Sequence, residues 1–183
     1  AFNTLRNAGL NVYRIRGVLS RSDEFEKALR ECKEQDIDCA VFYVATWLWA
    51  SEIWGAALAL GRPVAIWCSP TAVGWATGGA LVLHGALDEI GVKHELFYGY
   101  PDDESTMRDM MAFVRAAATA SRLRDSRLGL VGGYSMGAVT GATDISQVLS
   151  KFGVKVEHVD QFELVKRAEA FSRGNVEDTY NRL

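Results

Sequence analysis

Short apolar runs alternate with longer segments of helical periodicity along most of this chain. Runs with the length and composition of strands cover residues 12–16, 39–45, 63–68, 94–98, 128–131 and 154–159. Segments with helical spacing of apolar side chains or a cap residue cover 2–8, 51–61, 77–90, 106–123 and 144–152, and further helices open at Ser22 and Asp160. This alternation predicts an α/β fold of Rossmann-like parallel sheets with helices on both faces.

The pattern predicts two domains. Residues 1–124 hold roughly four strands and are expected to form a Rossmann-like α/β domain that opens on a helix and lacks the usual first strand. Residues 125–183 begin a second α/β domain that shows only two strands. Because a two-stranded sheet rarely stands alone, and because both ends interrupt a helical pattern, we expect a fragment of a longer protein with an incomplete second domain.

Composition and charge exclude several classes of partner. Among the 183 residues, 49% are apolar, 23% are charged and the formal net charge is −3. With no basic run we expect no nucleic-acid partner, and with no apolar stretch of about 18–20 residues we expect no membrane partner. The three cysteines, Cys32, Cys39 and Cys68, fit no metal spacing and indicate reduced, buried thiols in a cytoplasmic protein.

A glycine-rich segment follows the strand at 128–131. Residues 132–141 contain Gly132, Gly133, Gly137 and Gly141, and the next helix start is Asp144. That connection of about ten residues exceeds the roughly 2–6 of an ordinary strand-to-helix loop. Because ligands bind at the carboxyl ends of strands in open α/β sheets, the segment is expected to contact a ligand; the alternative is a linker between two domains.

Residues 132–141 partly match two known kinds of site, the nucleophile elbow of hydrolases and the glycine-rich phosphate loop. Residues 133–137, Gly-Tyr-Ser-Met-Gly, match the G-x-S-x-G elbow that presents the nucleophile of α/β-hydrolases. The elbow requires a helix directly after Ser135, however, and of the groups that would assist it, His158 falls within a strand and Asp144 caps a helix. No dinucleotide or P-loop glycine spacing is present. A hydrolase and a non-catalytic sugar- or nucleotide-binding module remain as alternatives.

Aromatic residues give a second candidate site. Trp47 and Trp49 follow the strand at 39–45 and precede Ser51 and Glu52. Indoles in such a loop commonly contact a sugar ring or a neighbouring subunit, so Trp47 is a candidate for either role. The other tryptophans, Trp54, Trp67 and Trp75, are assigned to the core.

Histidines and acidic residues suggest no catalytic cluster. His84, His94 and His158 are scattered over a helix and two strands, and no pair has the spacing of metal ligands. Asp88 is interpreted as a solvated helix residue. The acidic run at 102–104 precedes a helix and is interpreted as its cap.

Several segments resemble the L-fucose/L-arabinose isomerase family over nearly the whole chain. They are Gly-Gly-Tyr-Ser-Met-Gly at 132–137, Phe-Gly-Val-Lys-Val-Glu-His-Val-Asp at 152–160 with Gln-Phe-Glu-Leu after it, Trp-Leu-Trp-Ala-Ser-Glu at 47–52, and the Thr-Gly-Gly-Ala segment within 77–91. The resemblance implies an oligomeric, cytosolic, manganese-dependent enzyme that interconverts an aldose and a ketose through an ene-diol. It also implies that the Ser-Met-Gly loop is not a nucleophile elbow.

The resemblance assigns roles to three residues. Met136 matches a methionine that lines the sugar site, with Ser135 beside it, and Trp47 matches a tryptophan that a neighbouring subunit contributes. The family's metal-binding residues have no counterparts here, and its N-terminal basic motif is absent. We therefore expect Mn²⁺ in the parent enzyme, none bound by this chain, no catalytic residue in it, and a chain that is inactive alone.

Overall fold

The computed structural model describes residues 1–70, 74–124, 126–133 and 143–182. The chain divides into two compact units, Ala1–Ser121 (unit 1) and Arg122–Leu183 (unit 2). Strands are parallel and helices alternate with them, which confirms the predicted α/β class. The loop residues Ser135 and Met136 lie outside the described residues.

Unit 1 contains a three-stranded parallel sheet. Its elements are α1 (Phe2–Asn7), α2 (Ser22–Glu34), β1 (Ala40–Val44), α3 (Ala50–Leu60), β2 (Val64–Cys68), α4 (Ala76–Glu89), β3 (His94–Tyr98) and α5 (Glu104–Arg124). The strand order is β1-β2-β3, with Ala40 opposite Val64 and Val64 opposite His94. Because both crossovers step in one direction, the right-handed rule places α3 and α4 on the same face.

The central strand β2 is buried on both faces and organises two cores. Val64, Ile66 and Cys68 pack with side chains of α3 and α4. Ala65 and Trp67 point the other way and pack with side chains of α1 and α5. A strand covered on both faces needs apolar residues at every position, which is why 63–68 is a continuous apolar run in the sequence.

Unit 2 contains a two-stranded parallel sheet. Its elements are β4 (Arg127–Val131), α6 (Ile145–Phe152), β5 (Lys155–Val159), α7 (Gln161–Glu169) and α8 (Arg173–Tyr180), with Leu128 opposite Val156. None of its described side chains is buried, and large apolar ones such as Phe152, Phe162 and Leu164 are exposed. The two strands thus form without an enclosed core among the described residues of unit 2.

Several helix ends in the described residues carry the cap residues that the sequence offers. Gly61 and Gly153 end α3 and α6 in the left-handed conformation, with φ of 65° and 73°. Asp144 accepts hydrogen bonds from Ser146 N and Gln147 N, so its predicted cap is confirmed. Ser51, a residue type that often caps the start of a helix, does not cap α3: the helix begins at Ala50, so Ser51 lies inside its first turn.

The prediction of a strand at residues 12–16 is wrong. The described part of unit 1 has three strands rather than four. Val12 packs against the core beside α1 and α5, while the Arg14 guanidinium carbon lies 5.4 Å from the centre of the Phe2 ring. Alternating apolar and basic residues favour an extended backbone, but a strand also requires a neighbour to pair with.

Within the described residues, no helix combines the length and apolarity needed to cross a membrane.

Candidate functional site

The candidate site is the carboxyl edge of the unit 1 sheet. Because β1, β2 and β3 are parallel, they end at one edge, at Val44, Cys68 and Tyr98. The loop holding Trp47 and Trp49, the buried Ser69 and the turn at Gly99 follow these three ends. Ligands of open α/β sheets bind at this edge.

A buried hydrogen-bond network fixes the three strand ends to one another. Ser69 Oγ donates to the Gly99 carbonyl at 3.2 Å, and Trp67 Nε1 donates to the same carbonyl at 3.0 Å. The hydroxyls of Tyr43 and Ser69 lie 2.9 Å apart. Since the one hydroxyl proton of Ser69 is used on Gly99, Tyr43 is the donor in that pair. The network gives the loops above it a rigid base.

Three tryptophans form a cluster at this edge, which we call the tryptophan cluster (Trp47, Trp49 and Trp75). Trp47 contacts Trp49 edge-to-face with ring centres 5.6 Å apart, and Trp75 in the same way at 6.3 Å. Exposed fractions are 37% for Trp47, 66% for Trp49 and 71% for Trp75. Large apolar side chains exposed together typically mark a binding surface rather than a core.

Two glycines of α4 let the helix approach the loop that carries the cluster. A Cβ on Gly79 would lie 3.0 Å from both Leu48 N and the Thr46 carbonyl oxygen. A Cβ on Gly78 would lie 3.2 Å from Cζ3 of Trp47. The Gly-Gly pair therefore allows the first turn of α4 to hold the 46–48 backbone in place.

An open, polar depression of about 610 Å³ adjoins the cluster. Trp49 forms part of its wall, together with Glu52 of α3 and with Arg21, Asp23 and Glu26 around the start of α2. Glu52 Oε2 accepts hydrogen bonds from Ser22 Oγ at 2.6 Å and Ser22 N at 2.8 Å, and these bonds lower the pKa of Glu52. One aromatic wall and several charged side chains suit a small ligand rich in hydroxyl groups.

The structure shows where the candidate residues from the sequence lie and corrects the predicted burial of two tryptophans. Trp47 lies at the carboxyl edge, as its position after β1 predicts. Trp67 is fully buried, as predicted, but the core assignment is wrong for the exposed Trp54 and for Trp75. His158 is an exposed residue of β5.

A second group of polar side chains lies at the opposite edge of the sheet and was not predicted from the sequence. His84 and Asp88 lie one turn apart on α4, and the turn at Gly91, with φ of 72°, brings His94 back against them. His84 Nδ1 lies 2.7 Å from His94 Nε2, which in turn lies 3.8 Å from Asp88 Oδ1. The expectation that the histidines are scattered is wrong for this pair.

No protein-family model matches this chain, and no curated protein is significantly similar to it.

Proposed function

We propose that the carboxyl edge of unit 1 binds a monosaccharide, and that the chain contributes substrate contacts and a subunit interface to an aldose–ketose isomerase of the L-fucose/L-arabinose type. The observation that supports this proposal is the exposed tryptophan cluster beside a polar depression. The resemblance to that family separately assigns Met136 and Ser135, which lie outside the described residues, to a sugar pocket, and assigns Trp47 to the pocket or to the interface between subunits.

The chemistry of the depression suits a sugar. A pyranose ring has an apolar face of C–H groups and a rim of hydroxyls, so a flat indole such as Trp49 and charged hydrogen-bonding groups are complementary to it. Hydrogen bonds from Ser22 lower the pKa of Glu52, which keeps this carboxylate ionised at neutral pH as an acceptor for hydroxyl groups. A nucleotide fits less well, because three carboxylates (Asp23, Glu26 and Glu52) and one guanidinium (Arg21) line the depression, and this excess of negative charge would repel phosphate.

The tryptophan cluster also supports an oligomer. Aromatic side chains are enriched at the centres of protein interfaces, and three exposed indoles in contact form an apolar surface of the kind that such interfaces use. We propose that a second copy of the chain covers part of this surface. The resemblance and the three free cysteines favour a cytoplasmic enzyme.

Manganese does not fit the residues at this edge. Among the described residues, the group with three candidate metal donors is His84, Asp88 and His94, which lies at the amino end of β3 and offers two imidazoles where Mn²⁺ favours oxygen ligands. We therefore assign no catalytic step to this chain. We propose that the chain binds sugar without interconverting aldose and ketose and without holding Mn²⁺.

Monosaccharide titrations test the proposal. L-Fucose, L-arabinose and their ketoses are added to the chain, and binding is followed by tryptophan fluorescence and by NMR of the indole N–H groups. Trp49→Ala is expected to abolish saturable binding, whereas Trp54→Ala, which changes an exposed indole on α3 that is not among the residues lining the depression, should leave it intact. Equal loss in both variants, or no sugar binding at all, would contradict the proposal.

Two further measurements separate the alternatives. Incubation with an aldose and Mn²⁺ should give no ketose from this chain, and a turnover would show that it carries chemistry of its own. A fluorophosphonate should leave Ser135 unlabelled, since labelling there would favour a hydrolase.

A further inference from the structure

We propose that His84, Asp88 and His94 form a binding site for a divalent transition-metal ion such as Zn²⁺, which the site should prefer to Mg²⁺ and Mn²⁺. One donor atom from each residue lies within 4.8 Å of the other two. The site uses the last two turns of α4 and the first residue of β3 and is independent of the sugar site proposed above.

The turn between α4 and β3 positions the three side chains. His84 and Asp88 are four residues apart on α4, so they project from the same helix face. Val92 N donates to the Leu87 carbonyl and Gly91 takes a left-handed conformation, so the chain reverses within a few residues. His94 then returns over the helix end, and its imidazole is only 2% exposed.

The hydrogen bonds of His94 direct one of its lone pairs to the group. Its Nδ1 lies 2.7 Å from the Val92 carbonyl oxygen, and because a carbonyl only accepts, Nδ1 carries the proton. In this tautomer His94 presents the lone pair of Nε2 towards His84 and Asp88. A ligating imidazole whose other nitrogen donates to a backbone carbonyl is the usual arrangement at metal sites.

The distances require only a small adjustment to accept an ion. The two facing nitrogens, His84 Nδ1 and His94 Nε2, are 2.7 Å apart, and with the His94 proton on its Nδ1, His84 is the donor in this pair. Two imidazole nitrogens bound tetrahedrally at about 2.0–2.1 Å from Zn²⁺ are roughly 3.3 Å apart. His84 is 40% exposed and can move by that difference, while its proton shifts to its other ring nitrogen, so the imidazole binds the ion as a neutral ligand.

The donor set favours zinc and leaves a coordination position open. Two imidazoles and a carboxylate are borderline ligands that suit Zn²⁺ better than Mg²⁺ or Mn²⁺. Asp88 is 68% exposed, so the fourth position of a tetrahedral ion faces solvent and can take water. By joining α4 to β3, the ion is expected to stabilise unit 1 against unfolding.

Calorimetric titration of the full chain with ZnCl₂ tests the site. We expect saturable binding of about one ion per chain and a rise in Tm, with Mg²⁺ giving neither. His84→Gln and Asp88→Asn change exposed side chains, and each should weaken Zn²⁺ binding roughly tenfold or more. His158→Gln removes a histidine of unit 2 and is the matched control, expected to bind like the wild type.

Spectroscopy identifies the ligands. With Co²⁺ in place of Zn²⁺, the spectrum should show nitrogen and oxygen ligation without a thiolate charge-transfer band, and the ring signals of His84 and His94 should be the ones that change. Unaltered Zn²⁺ affinity in both His84→Gln and Asp88→Asn, a thiolate band, or no saturable binding would each overturn the proposal. Far-UV circular dichroism verifies that the two variants remain folded.

Discussion

Two glycines of α4 allow a test of how this helix packs against the loop that carries Trp47 and Trp49. One of them, Gly79, lies against the loop, and the other, Gly85, faces open space. Gly79 and Gly85 are both interior residues of α4. A Cβ on Gly79 would meet backbone atoms of Leu48 and Thr46 at 3.0 Å, whereas a Cβ on Gly85 would have no neighbour within 4 Å. The same substitution to alanine should therefore change stability in opposite directions.

The magnitudes follow from two competing effects. Replacing a helical glycine by alanine stabilises a helix by about 0.5–1 kcal/mol, and Gly85→Ala should show this gain. In Gly79→Ala the new methyl group presses on backbone that cannot rotate away, and such overpacking costs about 1–3 kcal/mol. We expect Gly79→Ala to be destabilising by about 1–2 kcal/mol, so that the two variants differ by roughly 2–3 kcal/mol.

Urea unfolding followed by tryptophan fluorescence measures this difference. All five tryptophans of the chain lie in unit 1, so the signal reports the unit that contains α4. With a urea dependence of about 1–3 kcal/mol per molar, the midpoints of the variants should differ by about 1 M or more. Equal stabilisation by both substitutions would refute the close contact between α4 and the loop at 46–48.

Three further outcomes test other parts of unit 1. Ser69→Ala should lower the free energy of unfolding by about 0.5–1.5 kcal/mol, because it removes one of the two hydrogen bonds to the buried Gly99 carbonyl while Trp67 Nε1 still donates to it; urea unfolding measures this. Hydrogen bonds from Thr106 and Ser105 lower the pKa of Asp103 from 3.8, so its contribution to stability is complete above about pH 4 and is lost as the pH falls through the folded-state pKa. Asp103→Asn should therefore unfold with a weaker pH dependence below about pH 4 than the wild type, and an unchanged acid profile would contradict the assignment. Burial raises the pKa of Cys39 to about 12, so iodoacetamide at pH 8 should leave this thiol unmodified in the folded protein and alkylate it in urea, as mass spectrometry of peptides would show.

The sequence predicted those elements of unit 1 whose burial leaves a continuous or periodic pattern. β3 was predicted at residues 94–98 and is His94–Tyr98, and the predicted strand at 63–68 contains β2, Val64–Cys68. In both cases the strand is bounded by turn residues, and in β2 the burial of both faces makes every position apolar. The end of α3 could also be predicted from the sequence, because Gly61 supplies the left-handed residue that ends a helix.

Features that depend on the meeting of distant segments were not predictable in this way. Tryptophan is usually a core residue, and the sequence therefore assigns Trp75 to the core. Its exposure is instead decided by how the start of α4 lies against the loop after β1. His84 and His94 are ten residues apart, a separation that suggests no contact on one helix or one strand. A usable signal did exist: a histidine and an aspartate at i and i+4 near a helix end, followed by a glycine turn and a histidine that opens the next strand.

The two proposed sites lie at opposite ends of α4, which raises the question of whether one ligand affects the other. The helix has 14 residues and spans about 20 Å, from the turn against the tryptophan loop to the turn that carries His84 and Asp88. Binding at one end changes affinity at the other only if α4 has two arrangements that a ligand distinguishes.

The packing of α4 argues that it has one arrangement. Its inward side chains Ala80, Leu83 and Leu87 have no exposed surface and lie in the core formed with β2 and α3. Sliding or rotating the helix would open space around both leucines, and emptying a single buried leucine site already costs about 2–5 kcal/mol. We therefore expect saturating Zn²⁺ to leave the sugar dissociation constant unchanged within about twofold, since coupling in allosteric proteins is typically 5-fold or more. Sugar titrations with and without Zn²⁺, repeated on His84→Gln, measure this. A reciprocal shift in the two affinities that disappears in His84→Gln would show that α4 moves and that the core around Leu83 and Leu87 is less rigid than its burial indicates.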